Sequence, residues 1–261
     1  MMSQFVPSRR LNLRDYTPAR VSLPAAGNSI ATAEVLSFQL AHAQARDAVH
    51  AALDVAAFAR RIEGELPILA EANVPVLQLR SNASSRAIYL RQPRLGRTLH
   101  PESAAQLHAS PCDLSITVAD GLSALAVERN AIPLLGQLIP QLLAAGWTLS
   151  PIAVVQQGRV AIGDPIGLGM GACMSLVLIG ERPGLSSPDS LGAYLTWKPH
   201  PSRTDADRNC LSNIRTGGLS AESAAERLFW YLQAACRQQM TGTLLKEGVI
   251  ELEDKGTLGL G

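Results

Sequence analysis

SPIAVVQQGRVAIGDPIGLGMGACMSLVLIGERPGLSSPDS, residues 150–190, decides the fold. Its centre, residues 174–179 (MSLVLI), is a nearly continuous apolar run rich in branched side chains, ended by Gly180 and the Arg182-Pro183-Gly184 turn. Such a run predicts a strand buried on both faces, as in a sheet covered by helices above and below. Glu181 follows immediately. Open α/β sheets bind ligands in the crevice beyond the carboxyl ends of their strands, which makes Glu181 the first candidate ligand contact. The plainer alternative is a surface ion pair with Arg182 or another base, since position in a fold does not establish function.

Working outward, residues 113–120 (DLSITVAD) alternate Leu114, Ile116 and Val118 with small polar residues. They predict a strand ending in Asp120-Gly121, then a helical pattern through Val127 and a second helical stretch over 133–143. Asp120 falls on the same rim as Glu181 if the two strands are parallel. Gly167, Gly169 and Ala172 match G-x-G-x-x-A, but a dinucleotide fingerprint follows a strand and opens a helix. Here the cluster precedes a strand and reads as a turn into it, so a dinucleotide-dependent oxidoreductase is a weak reading. No G-x-x-x-x-G-K-[ST], H-E-x-x-H or G-x-S-x-G occurs, and the Asp205/Asp207 pair reads as a helix cap. No complete catalytic set is visible.

Residues 1–28 form a polar lead, and residues 29–61 read as one helix with Val35, Phe38, Ala41, His42, Ala45, Ala48, Val49, Ala52 and Leu53 on its buried face. His42 and His50 lie near that face without a carboxylate partner set, and read as packing or surface residues rather than a metal pair. A further helical turn over 66–72 stops before Pro75. Residues 76–79 and 88–90 look like short strands, and RQPRLGRTLH (91–100) is a basic loop suited to solvent or, less directly, to an anion or partner. A short helix starts at Pro101. Residues 191–197 make a last strand. Ser220 caps a closing helix that buries Ala225, Leu228, Phe229, Leu232, Ala235, Cys236 and Met240. The organisation expected is a helical module over 1–75, an α/β domain over 76–245 and a mobile tail over 246–261.

The 261 residues suffice for a sizeable core, and the low aromatic content (4%) suits α/β layers better than a sandwich. A formal net charge of +1 with no basic run argues against a nucleic-acid partner. No apolar run approaches the roughly 20 residues of a membrane helix, and residues 1–16 lack a secretory apolar core. Four cysteines without a CxxC spacing predict free thiols in a reducing cytoplasm.

Several strings occur together and in order: DGLS (120–123), GRV (158–160), GERPGL (180–185) and DRNCLSNI followed by GG (207–214, 217–218), with FQLAHAQARDAVH (38–50) upstream. Together they resemble the small (light) subunit of ethanolamine ammonia-lyase over roughly residues 20–240. The resemblance implies an adenosylcobalamin-dependent lyase that converts ethanolamine to acetaldehyde and ammonia by radical chemistry. It implies a TIM-barrel large subunit carrying the substrate site, with the cofactor between the subunits of a hetero-oligomer. It places this chain's cofactor contacts on Val160, Glu181 and Cys210. A corrin carries peripheral amides that can donate to the Glu181 carboxylate; Val160 offers an apolar surface or a backbone group, and Cys210 a small polarizable contact. The family's arginine-containing glycine-rich turn is replaced here by SLPAAGNSIAT (22–32). D-x-H-x-x-G is absent, which by the same resemblance leaves the cofactor its own base as lower ligand. The expected fold is α/β, a Rossmann-like, mostly parallel sheet flanked by helices with the helical module in front. The resemblance leaves enclosure in a bacterial microcompartment open. The competing class is a noncatalytic assembly subunit without a cofactor role.

Overall fold

The computed structural model describes residues 13–17 and 19–246. A small hairpin, β1 (Ala25–Ala26) and β2 (Ser29–Ile30), turns at Gly27 and leads into α1 (Thr32–His50), α2 (Val55–Glu65) and α3 (Ile68–Glu71). Then come β3 (Val76–Arg80), α4 (Arg86–Arg91), α5 (Pro101–Ala104), β4 (Cys112–Ala119) and α6 (Ala124–Ala144). The chain closes with β5 (Ile152–Gln156), α7 (Gly163–Gly169), β6 (Ala172–Gly180), β7 (Leu191–Trp197), β8 (Arg208–Ile214) and α8 (Ala221–Gln238).

Six strands form one sheet in the order β3-β5-β4-β6-β7-β8. The first four run parallel, while β7 and β8 are antiparallel additions. This is the α/β class expected, with helices on both faces. Leu114, Ile116 and Val118 of β4 and Met174, Leu176 and Leu178 of β6 meet α2, α3, α6 and α8 in one apolar cluster. Ala119, Val177 and Ile179 face the other way, against Ile162, Ile166 and Met170 around α7. The two-residue alternation of a strand thus feeds both cores.

The small polar positions in β4 and β6 do not meet solvent. Ser115, Thr117 and Ser175 are buried, because α7 lies very close to the sheet. A Cβ on Gly163 would stand 2.3 Å from a Val177 methyl. Ser175 Oγ instead donates to the Gly163 carbonyl at 3.0 Å. Across this layer, Arg208 of β8 reaches Asp164 of α7 through two hydrogen bonds, 2.8 and 2.6 Å, with both side chains buried.

Several local expectations need correction. The helix expected over 29–61 is two helices, because the chain extends after His50 and Asp54 caps α2, accepting from Ala57 N–H at 2.9 Å. In α1 only Ala41 and Ala48 are buried, while Val35, Leu36, Phe38 and Leu40 stay exposed. Residues 88–90 belong to helix α4 rather than a strand; Ser85 caps it, and a three-residue apolar run carries too little period to distinguish the two. The two helical stretches after Asp120 are a single helix, α6, that runs through Pro133 and Pro140. Both prolines lie on its exposed side, where a carbonyl deprived of its helical donor can be hydrated. Gly167 and Gly169 end α7 before Gly171 turns the chain into β6, so the cluster closes a helix rather than opening one. Residues 191–197 are not the last strand; β8 follows. Cys236 is exposed, off the buried face of α8. Asp205 and Asp207 lie in a single 3-10 turn, where Asp207 does act as a cap, accepting from Thr204 N–H at 2.7 Å in a capping box, while Asp205 does not. The tail from residue 247 onward lies outside the described residues.

Candidate ligand-binding cleft

β4 and β5 lie side by side, yet the chain leaves β4 toward α6 on one face and β5 toward α7 on the other. That divergence opens a crevice at their carboxyl ends. A cleft of about 440 Å³ lies there, lined by residues including Leu122, Val160, Ile179, Glu181 and Tyr194. A slightly larger hollow, about 490 Å³, lies between α5 and α7 against Leu99, Leu107 and Ala161; none of the three predicted site residues lines it.

The cleft floor depends on two glycines. Gly121 has φ +57°, and a Cβ there would stand 2.2 Å from the Gly180 carbonyl. A Cβ on Gly180 would stand 2.0 Å from the Ser123 carbonyl. Leu122 N–H donates to the Gly180 carbonyl at 2.8 Å, so the loop after β4 crosses directly over the end of β6. Only residues without a side chain allow that crossing.

Glu181 is half-buried just beyond β6. Its carboxylate accepts from Ser190 Oγ and Ser212 Oγ, each at 2.5 Å, and from Asn213 N–H at 3.3 Å. Its partners are therefore hydroxyls and an amide from the β7–β8 side rather than Arg182. Val160 stands on the opposite wall, at the start of a 3-10 turn leading into α7. Cys210 is exposed on β8, directly across the ladder from Tyr194. Desolvation, assisted by the Glu181 charge, pushes the Cys210 thiol above its ordinary pKa. The structure thus brings Val160 and Glu181 into one cleft and sets Cys210 at its edge, behind Tyr194.

A charged network lies beneath the cleft. Asp120 is fully buried and accepts from Gly158 N–H at 3.2 Å. Arg86 approaches its second carboxylate oxygen at 3.6 Å and donates to the Gly121 carbonyl at 2.7 Å and to Val49, at the end of α1, at 2.8 Å. Burial pushes the Asp120 pKa up to about 6, although Arg86 and backbone N–H donors pull the other way. Tyr89 donates to the Gly158 carbonyl at 3.0 Å, and its ring has Arg86 and Arg159 guanidinium groups 5.0 and 4.2 Å from its centre. Burial also raises the Tyr89 pKa. Asp120 was expected on this rim. Arg86, Tyr89 and Arg159 were not, because an arginine that will fold inward looks like any surface base in a sequence.

Among the described residues no group of three or more His, Cys, Asp or Glu side chains could hold a metal ion. Among the same residues, no helix is long and apolar enough to cross a membrane.

Comparison with known proteins gives a consistent result. The family model described as ethanolamine ammonia-lyase light chain (EutC) matches residues 8–246. The ethanolamine ammonia-lyase small subunit of Pseudomonas syringae pv. tomato is 51% identical over 243 residues, covering 91% of this chain and 82% of that protein. The small subunit from Azotobacter vinelandii is 52% identical over 241 residues, covering 90% and 87%. The one from Pseudomonas putida strain W619 is 50% identical over 243 residues, covering 91% and 87%.

Proposed function

We propose, for a chain that belongs to the ethanolamine ammonia-lyase light-chain family, that the cleft beyond β4, β5 and β6 is one wall of an adenosylcobalamin site completed by the TIM-barrel large subunit. Bound there, adenosylcobalamin supplies the radical chemistry that converts ethanolamine to acetaldehyde and ammonia. The observation that carries this reading is convergence: Val160 and Glu181, 21 residues apart, line one open cleft, and Cys210 stands directly across the ladder from a third lining residue, Tyr194.

The residues suit the cofactor chemically. Leu122, Val160 and Ile179 give an apolar surface on which a corrin face can rest. Glu181 Oε2 already takes two hydrogen bonds and Oε1 one. A carboxylate offers about four acceptor positions, so Oε1 keeps room for a corrin amide. The cleft is open to one side, which suits a ligand shared with a second subunit. Leu36 and Leu40, exposed one turn apart on α1, support a protein partner for that face of the helix. Free thiols on all four cysteines support a reducing cytoplasm as the place of work.

This chain's part is binding and orientation. Glu181 is fixed by its serine and amide donors, so it meets an incoming amide without reorganising. Val160 and Ile179 exclude water from the face they cover. One observation favours the alternative, a noncatalytic assembly subunit: the Glu181 cage is complete enough to serve β7 and β8 alone. Activity and binding separate the two. The chain alone should show no ethanolamine deamination, and mixing with the large subunit should restore turnover together with stoichiometric bound corrinoid. Deamination by the isolated chain would overturn the division of labour. An assembled complex whose corrinoid affinity is indifferent to Val160 and Glu181 would support the assembly role.

A further inference from the structure

Asp120 holds a buried charge that the proposed cofactor contacts leave unused. It directly follows β4, yet its carboxylate serves the neighbouring loop after β5, accepting from Gly158 N–H at 3.2 Å. Backbone N–H groups of Gln157 and Gly121 also stabilise its charged form. The Gly158 peptide is gripped from its other end by the Tyr89 hydroxyl, 3.0 Å from its carbonyl. The next two residues are Arg159 and Val160, both on the cleft wall. Arg86 closes the network by donating to the Gly121 carbonyl and, at 3.4 Å, to Gln157 Oε1. The groups facing Asp120 are thus Arg86 and Tyr89 from α4 and, beyond the tyrosine ring, Arg159.

We propose that Asp120 is a positioning residue: its ionised carboxylate, anchored by Arg86, holds residues 157–160 in the conformation that presents Val160 to the cofactor, and cofactor affinity follows its ionisation. The inference rests on the cofactor reading above. Burial brings the Asp120 pKa to about 6, within reach of ordinary buffers. When pH falls through that value, the carboxyl takes a proton, weakens as an acceptor for the loop N–H groups and loses its attraction to Arg86.

The test uses the full chain assembled with its large subunit. Adenosylcobalamin is titrated at pH 7.5 and pH 5.5 (about one and a half pH units above the Asp120 midpoint and about half a unit below it). Hydrogen exchange of residues 157–160 is measured without cofactor and expressed as protection factors. The unaltered complex should lose protection at the lower pH and bind about three- to fourfold more weakly, because a midpoint near 6 leaves about a quarter of the carboxyl groups ionised at pH 5.5. Asp120→Asn should show low protection and weak binding at both pH values, with the step abolished. Tyr89→Phe, which removes the neutral grip on Gly158, should bind more weakly at both pH values yet keep the step. A pH-independent protection pattern in the unaltered complex would overturn the proposal even if Asp120→Asn does not fold. So would a step that survives in Asp120→Asn, or a change in protection with no change in affinity. Glu181→Ala, run in the same titration at pH 7.5, reports separately on whether the cleft binds the cofactor at all.

Discussion

Gly180 shows how much a single position can carry. In the sequence it reads as the stop of a buried strand. In the structure it is where two loops cross, with a Cβ 2.0 Å from the Ser123 carbonyl and 2.6 Å from the Asp120 carbonyl. Backbone on the far side cannot yield as a flexible side chain can. Gly180→Ala should therefore cost about 3 kcal/mol or prevent folding, above the usual cost of overpacking; urea unfolding measures it, and a loss below about 1 kcal/mol would contradict the crossing. Asp120 sets a second test at this scale. Its folded pKa, about 6, lies above the ordinary aspartate value, so the charged form is penalised in the native state. Its contribution to stability is greatest below about pH 4, falls as pH rises toward about 6 and is level above that. Asp120→Asn should remove that slope from the pH dependence of stability, and an unchanged slope would place the linkage elsewhere. Glu181 and Asp120 were legible as rim carboxylates because each directly follows an apolar strand. Their partners were not, since Ser190, Ser212 and Arg86 arrive from distant parts of the chain.

Elements with a strong hydrophobic period are readable, and those governed by tertiary contact are not. β4, β6 and α8 follow their apolar patterns. α1 does not: its Val35 and Phe38 repeat correctly for a buried face, yet both stay exposed among the described residues. α6 resists a sequence reading for the opposite reason. Two prolines inside one helix suggest a break, yet Leu134, Leu135, Leu138, Ile139 and Leu142 bury fully against the sheet, and that burial keeps the helix continuous. An internal proline costs a helix about 3 kcal/mol, partly offset by a stiffer unfolded chain. Pro133→Ala should therefore stabilise the protein by about 1–2 kcal/mol, read as a higher urea midpoint at unchanged slope. A destabilised variant would mean that the ring itself packs against something essential.

At the scale of the molecule, the fold class was legible because a buried strand and the strand–loop–helix unit before it restrict the chain to helices on a mostly parallel sheet. Strand order was not, because β5 enters between β3 and β4 only through the packing of α6 and α7 on opposite faces. That order opens the crevice and brings Val160 opposite Glu181. The chain supplies a fixed wall with one acceptor to spare and no acid–base pair of its own in the cleft. The measurement closest to the central claim is adenosylcobalamin titration of the assembled complex carrying Val160→Asp or Glu181→Ala, with assembly verified by size. Losing a hydrogen bond to a charged group, or placing a carboxylate against an apolar corrin face, should raise the dissociation constant by about ten- to a hundredfold while ethanolamine binding changes little. An unchanged cofactor dissociation constant in both correctly assembled variants would contradict the account.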